Sequence, residues 1–173
     1  MARLPSLLFV ALALAPAAAL STTLVARDVE GLTARSDAVA VVRVTATRTR
    51  WADRRHLVTV AECELVQALK GDPGSTLRVV TPGGELDGVG QRVPGAAELR
   101  PGDEVVVFLQ RVKGDVFEVT GWSQGVFTVE RTGPEPTVRP MPVDAALVRE
   151  RALAPPPATL RALSQRVAKG GAR

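Results

Sequence analysis

A continuous apolar run stands past the middle of the chain at Val105–Leu109, and the turn Pro101-Gly102 leads into it. The run has no helical spacing and is rich in β-branched residues, which predicts a strand buried on both faces. Because such a strand needs packing on each side, we expect the other elements to be arranged around it.

Alternating apolar and polar residues predict most of the remaining strands. Residues 37–49 begin as a buried segment and then alternate, which predicts a strand that leaves the core for solvent. Residues 57–69 predict the returning strand, and their alternation turns Cys63 inward. The turn at 70–74 and the Gly-rich loop at 82–101 interrupt the pattern. Further strands are predicted at 76–81, 116–120 and 126–130.

Three segments have helical patterns. Asp28–Arg35 predicts a short helix with Asp28 as its N-cap, and residues 144–153 predict another. Residues 158–168 place Leu160, Leu163 and Val167 at helical spacing, which predicts a small amphipathic helix. We expect this apolar stripe to pack on the protein itself; the alternatives are a free, disordered tail and docking on an acidic partner or an anionic membrane surface. Five or six strands with short helices predict an all-β barrel or sandwich.

The amino-terminal residues predict export. A basic start at Met1–Arg3 precedes the apolar run Leu7–Leu14, and small residues follow as far as Ala19. This pattern is typical of a secretory signal peptide cleaved after Ala19. An uncleaved anchor is the alternative, but the run is shorter than the ~20 residues that a spanning helix needs. We therefore expect periplasmic or extracellular localisation and no transmembrane segment in the mature chain.

The predicted organisation places a barrel domain ahead of a basic tail. Its parts are a signal peptide at 1–19, a β-barrel domain at 20–131, a Pro-rich linker at 132–157 and a basic C-terminal helix or tail at 158–173.

The net charge of +4 is unevenly distributed along the chain. Residues 1–130 hold 14 Lys and Arg against 15 Asp and Glu, whereas residues 131–173 hold 8 against 3. The predicted barrel is therefore near neutral, and no specific nucleic-acid partner is expected.

The chain has one cysteine, Cys63, and one histidine, His56. A disulfide within the chain is therefore impossible, and a cysteine-based metal site is not expected. The inward position predicted for Cys63 argues against a nucleophile-base pair with His56. We expect no catalytic residues, no zinc site and no cofactor.

Four short motifs resemble a pattern of bacterial secreted modules. They are Ser36–Val44, Glu64–Gly71, Leu99–Leu109 and Gly121–Gly125. This pattern is similar to the OB-like barrel of netrin modules and tissue inhibitors of metalloproteinases. The resemblance covers residues 36–130 and implies a small five- or six-stranded OB-like barrel. The disulfide framework of the animal proteins and the amino-terminal cysteine with which the inhibitors chelate zinc are missing, so the resemblance implies a fold and not inhibition.

The tip between the first two long strands is the main candidate binding surface. It combines an aromatic ring with guanidinium groups, a set that suits anionic polymers, sugars or protein hot spots. The alternative is a solvated loop whose tryptophan folds back on the barrel. The candidate residues are Arg48, Arg50, Trp51, Arg54 and Arg55.

The Gly-rich loop offers a second, weaker candidate. Glu85 and Asp87 could contribute oxygen ligands to a calcium ion, although two carboxylates fall short of the usual ~6–8 oxygens. The alternative is a loop that simply covers the barrel.

These patterns favour a secreted, non-catalytic binding or interaction module whose partner is an unknown protein or anionic polymer. The alternative is a structural envelope protein that acts by self-association, for which a long exposed strand edge would be the sign. A carboxylate-based hydrolase is a third hypothesis, and it requires acids that converge in one concave pocket.

Overall fold

The computed structural model describes residues 23–149 and 152–171, so the predicted signal peptide lies outside the described residues. No helix in these two ranges combines the length and apolar character needed to cross a bilayer. In chain order the elements are β1 Thr23–Val25, α1 Val29–Arg35, β2 Ala38–Trp51, β3 Leu57–Lys70, β4 Thr76–Pro82, β5 Gly84–Leu86, β6 Val89–Gln91, β7 Glu104–Lys113, β8 Val116–Val119, a 3-10 helix Trp122–Gly125, β9 Val126–Glu130, β10 Thr137–Pro140, β11 Ala146–Val148 and α2 Leu160–Gly171.

A closed barrel of five strands forms the centre of the molecule. The strands follow the order β7-β2-β3-β4-β8, and β8 pairs back onto β7 to close the ring. Neighbours are antiparallel except β4 and β8, which run parallel. The strands β9 and β10 continue the sheet outward from β7. The predicted all-β barrel is confirmed, and its architecture is compatible with an OB-like fold.

The predicted burial of β7 on both faces is confirmed, because the protein has an apolar core on each side of the barrel wall. Val105, Val107 and Leu109 point into the barrel, whereas Val106 and Phe108 point to the outer core beneath the helices. The same alternation on β2 sends Ala38, Ala40, Val42 and Val44 inward and Val39 and Val41 outward. Period-2 alternation across two cores explains why both strands have nearly continuous apolar sequences.

The two helices cover the outer core, as their apolar stripes predict. Asp28 caps α1, since its carboxylate accepts a hydrogen bond from the Gly31 backbone N–H at 2.9 Å. Leu160, Leu163 and Val167 of α2 are buried in the outer core. The two helices are also joined by a bidentate pair between Arg166 and Glu30. The C-terminal helix therefore docks on its own protein.

Two strands occupy the segment predicted as a Pro-rich linker. β10 pairs with β9, and the Val138 N–H donates to the Ala158 carbonyl on the other edge of β10. β11 pairs in parallel with β1, so the helix predicted at 144–153 is wrong over its described parts, 144–149 and 152–153. The prolines favour an extended backbone, and an extended backbone suits short edge strands as well as a linker.

The motif residues behind the resemblance have structural roles at one end of the barrel. Lys70 donates from Nζ to the carbonyls of Thr33 and Ser36, at 2.7 and 2.6 Å, where α1 ends. Gly71 has φ of 65°, and a Cβ there would lie 2.4 Å from the Asp37 carbonyl oxygen. These contacts join the end of β3 to the start of β2. They also attach this end of the barrel to α1.

Candidate functional site

The candidate tip belongs to a longer unit that we call the distal hairpin, residues 46–62. β7 pairs with β2 only from Ala38 to Arg43, so the distal half of β2 has β3 on one side and no strand on the other within the described residues. β4 continues beside β3 as far as Pro82, opposite Val58. The distal hairpin therefore presents an edge of the barrel wall together with its tip.

A bulge at Thr45 decides which side chains share a face of this hairpin. Val44 is opposite Cys63 and Ala46 is opposite Glu62, so Thr45 is an extra residue in β2. Its hydroxyl donates to the Glu62 carbonyl at 3.0 Å. One extra residue reverses the in-out alternation of everything that follows in the strand.

The predicted binding residues fall into three groups on this hairpin, and the bulge sets which face each strand residue occupies. Arg48 and Arg50 pair with Val60 and Val58 on the outer face of the sheet. Trp51 lies opposite Leu57 on the inner face, where it is 44% exposed. Arg54 and Arg55 lie in the tip between the strands, and both are exposed. The sequence pattern placed these residues on and beside one hairpin, but it did not show which face of the sheet each strand residue would occupy.

Asp53 organises the tip. One carboxylate oxygen accepts from the backbone N–H groups of Arg55 and His56 at 2.7 and 2.9 Å, and the other lies 2.8 Å from His56 Nδ1. These hydrogen bonds, led by that of the His56 side chain, lower the pKa of the Asp53 carboxyl. The tip's single acid is therefore engaged in holding the turn.

The arginines around Asp53 lack such partners. Arg48 has a distant one, with its Nε 3.8 Å from Glu62 Oε1, and both side chains are solvated. Among residues 23–149 and 152–171, no carboxylate pairs with the guanidinium groups of Arg50, Arg54 or Arg55. The distal hairpin therefore carries unneutralised positive charge.

The hairpin formed by β5 and β6 braces the distal hairpin from its inner face. Gly84 approaches so closely that a Cβ would lie 2.5 Å from Thr59 Oγ1 and 2.7 Å from Thr49 Oγ1. Gln91 Oε1 accepts the Leu57 N–H at 2.6 Å, at the point where the tip ends. These contacts hold the base of the tip against the barrel.

The calcium candidates lie on this bracing hairpin. Asp87 and Gly88 have φ of 51° and 77°, the backbone of a two-residue turn with two left-handed positions. Asp87 is thus accounted for by turn geometry, and Glu85 is exposed in β5 opposite Gly90. Within the described residues, no group of three or more His, Cys, Asp or Glu side chains is placed to hold a metal ion.

An open groove of about 940 Å³ lies beside the bracing hairpin, and Glu85, one of the two calcium candidates, is among its lining residues. It collects acids from separate parts of the chain, among them Glu98, Asp103 and Asp144. Asp144 pairs with Arg92 at 2.5 Å, and Glu98 pairs with Arg100 at 3.1 Å. Asp103 accepts the Arg100 N–H at 2.8 Å. These acids are engaged with arginine residues rather than directed at a common point.

Cys63 and His56 lie in different environments. Cys63 is buried inside the barrel, and burial raises the pKa of its thiol to about 12. His56 is solvated at the tip beside Asp53. The distal hairpin combines an exposed tryptophan, Trp51, with three arginines, Arg50, Arg54 and Arg55, that have no carboxylate partner among the described residues. The chain matches no protein-family model and no curated protein.

Proposed function

We propose that the protein is a secreted, non-catalytic binding module of the cell envelope or extracellular space, and that the distal hairpin contacts its partner. The observation that carries this proposal is that Arg50, Arg54 and Arg55, beside the exposed Trp51, have no carboxylate partner in the part of the chain that the structure describes. The partner is a protein or polymer with anionic groups, because such groups would neutralise this charge.

The placement of aromatic residues supports a contact role for Trp51. Phe108, Phe117 and Phe127 are buried, as expected for large apolar side chains. Trp51 instead lies on an exposed strand end whose backbone is fixed by pairing with Leu57. A large amphipathic ring on a rigid strand can bury area on binding at a small entropic cost.

Export and family-level architecture belong to the same proposal. The pattern of residues 1–19 supports secretion. The closed five-strand barrel and the structural roles of Lys70 and Gly71 support a relationship to the netrin-type barrel. In that architecture the barrel is a scaffold, and the partner is selected by what projects from it.

The proposal is tested with a double variant of the binding surface. Arg50→Ala with Trp51→Ala should leave the melting temperature nearly unchanged, because both side chains are exposed. The same variant should fail to capture the partner from an envelope extract. The retained partner is identified by comparing bound fractions from the native protein and the variant.

A matched control removes the same residue types elsewhere. Arg139 lies on β10, and Trp122 is exposed in the 3-10 helix. Arg139→Ala with Trp122→Ala should retain partner capture. Equal capture by both double variants would refute the distal hairpin as the binding surface.

Self-association is the alternative function, and one observation favours it. Within the described residues, the distal half of β2 has no strand paired along the edge opposite β3. Open strand edges can pair with a second copy of the chain. Two copies would, however, bring Arg48 and Arg50 close to their own equivalents, and like charges across a strand pair are destabilising. A solution mass above the monomer that falls in high salt would contradict this charge argument.

A further inference from the structure

The open edge of the distal hairpin has a defined set of unused backbone groups. The Ala52 N–H donates to the His56 carbonyl at 2.8 Å just beyond the β2–β3 ladder, and the Leu57 carbonyl accepts from Gly83 on the other side of β3, so Trp51 and Leu57 form a non-hydrogen-bonded pair. Hydrogen-bonded and non-hydrogen-bonded pairs alternate along an antiparallel ladder. Arg50 and Arg48 therefore direct their backbone groups to β3, as Ala52 does, whereas Thr47 and Thr49 direct theirs to the opposite edge.

These outward groups have no backbone partner among residues 23–149 and 152–171. The pairing of β2 with β7 stops at Arg43, and the last bonds on that side join Val44 to Asp103 and Gly102. Nothing comparable follows at Thr47 or Thr49. The outermost strand β10, unlike the distal half of β2, has its outer edge covered. Its Val138 N–H donates to the Ala158 carbonyl, and Thr137 forms a β-bridge with Thr159.

We propose that an extended acidic peptide segment of a partner protein adds as a strand to β2 along Thr47–Trp51, an inference that rests on the proposed function of the distal hairpin. The N–H and C=O groups of Thr47 and Thr49 supply the ladder hydrogen bonds to the incoming strand. The positive charge of Arg48 and Arg50 on the same stretch selects an acidic segment and disfavours a second copy of this chain.

The faces of β2 also set the pattern of the incoming strand. Arg48 and Arg50 lie on the outer face, and Trp51 lies on the inner face. Side chains of a paired strand alternate between the same two faces. The segment should therefore carry acids at every second position, next to the arginines, and apolar residues between them on the side of Trp51.

The test uses a fluorescein-labelled peptide of alternating Glu and Val, titrated into the purified protein and followed by fluorescence anisotropy. Thr47→Pro removes an outward N–H without removing a bond to β3, and proline is tolerated at such edge positions. Thr47→Ala is the matched control, since it loses the same hydroxyl and keeps the N–H. We expect Thr47→Pro to weaken binding about tenfold and Thr47→Ala by less than about twofold.

Amide hydrogen exchange provides a second measurement that does not depend on a variant folding. The N–H groups of Thr47 and Thr49 should exchange at least about tenfold more slowly in the presence of the Glu/Val peptide. A Lys/Val peptide of equal length should give no such protection. Unchanged exchange at both amides, or equal binding by the Thr47→Pro and Thr47→Ala variants, would overturn strand addition.

The outcomes separate this inference from the proposed function. Capture of the envelope partner that survives Thr47→Pro but is lost with Arg50→Ala and Trp51→Ala would keep the binding surface and reject strand addition. If the native protein forms a dimer and Thr47→Pro makes it dissociate, a second copy occupies the open edge of β2. The acidic-peptide assignment would then be wrong. Loss of capture in the Arg139→Ala and Trp122→Ala control alone would reject both.

Discussion

The thiol of Cys63 lies on the interior face of β3, with Ala61 two residues away on the same face. Burial raises the pKa of this thiol from 9.0 to about 12, because the apolar interior disfavours the thiolate. The fold therefore holds the neutral thiol. The preference of the folded state for the neutral thiol therefore contributes stability that is fully present below pH 9.0. This stability is lost as the pH rises through about 12, because the thiol of the unfolded chain ionises first.

Native Cys63 should resist a chromogenic disulfide reagent at about pH 8, because the thiolate is the reacting species and the side chain is enclosed. Reaction should become complete in denaturant. The control is Cys63→Ala with Val112→Cys, since Val112 is 57% exposed on β7 and its replacement should react at once. Rapid reaction of the native protein would show that β3 opens readily or that Cys63 does not face the barrel interior.

Thr45 shows why the site could be predicted only in part. Arg48, Arg50 and Trp51 are close in sequence, and the strand pattern placed them correctly near a hairpin tip. Alternation alone puts Arg48 and Arg50 on one face and Trp51 on the other, but the inserted residue opposite Glu62 decides which of these faces is the inner one. The sequence around Thr45 continues to alternate smoothly, so nothing in it marks where the register of β2 shifts against β3.

Between elements, the contacts of Lys70 join the last residue of β3 to the carboxyl end of α1. Its ammonium group satisfies two carbonyls there, those of Thr33 and Ser36. The last carbonyls of a helix lack partners within the helix, and a cation at this end also complements the helix dipole. One side chain therefore fixes where α1 sits on the barrel.

Lys70→Met should lower the free energy of unfolding by about 2 kcal/mol, because two charge-assisted hydrogen bonds are lost while the aliphatic part is retained. Chemical denaturation followed by circular dichroism measures the change. Lys113→Met, at the exposed end of β7, should change stability by less than about 0.5 kcal/mol. Equal effects of the two substitutions would mean that Lys70 contributes no more than an ordinary surface lysine.

The sequence pattern predicts where strands lie better than it predicts which strands pair with each other. The apolar run of β7 and the alternation of β3 identified both strands, because burial pattern is a local property of the sequence. The sequence pattern does not predict the short strands β10 and β11, because their stability comes from pairing. β10 pairs with β9, which precedes it across a turn, and β11 pairs with β1, which is distant in the chain. Proline content predicts an extended backbone but does not specify a neighbour.

At the scale of the whole molecule, the protein is a barrel with a helical layer over one side. The outer core contains Val41, Phe108 and Phe127 from the wall and Leu163 from α2. Without α2, this apolar face of the barrel would be open to water. The apolar stripe of α2 is therefore part of the fold, and its basic exposed residues are secondary to that role.

Leu163→Asp should strongly destabilise the protein, because it places an unpaired charge in the outer core or forces α2 off the barrel. We expect the free energy of unfolding to fall by several kcal/mol, as measured by thermal unfolding followed by circular dichroism. Binding of a hydrophobic dye, measured separately, should increase. Gln165→Asp, on the exposed side of the same helix, is the control and should be nearly neutral. A neutral result for Leu163→Asp would mean that α2 is dispensable for the fold.

The pairing of β1 with β11 brings Thr23 beside Ala146, and Arg166 meets Glu30 across 136 residues of sequence. The strand β1 and the helix α1 therefore depend for their partners on segments much later in the sequence. A prematurely terminated product would leave β1 unpaired and the outer core uncovered, which is the state that proteases cleave most readily. Susceptibility to proteolysis should therefore report whether β11 and α2 have docked.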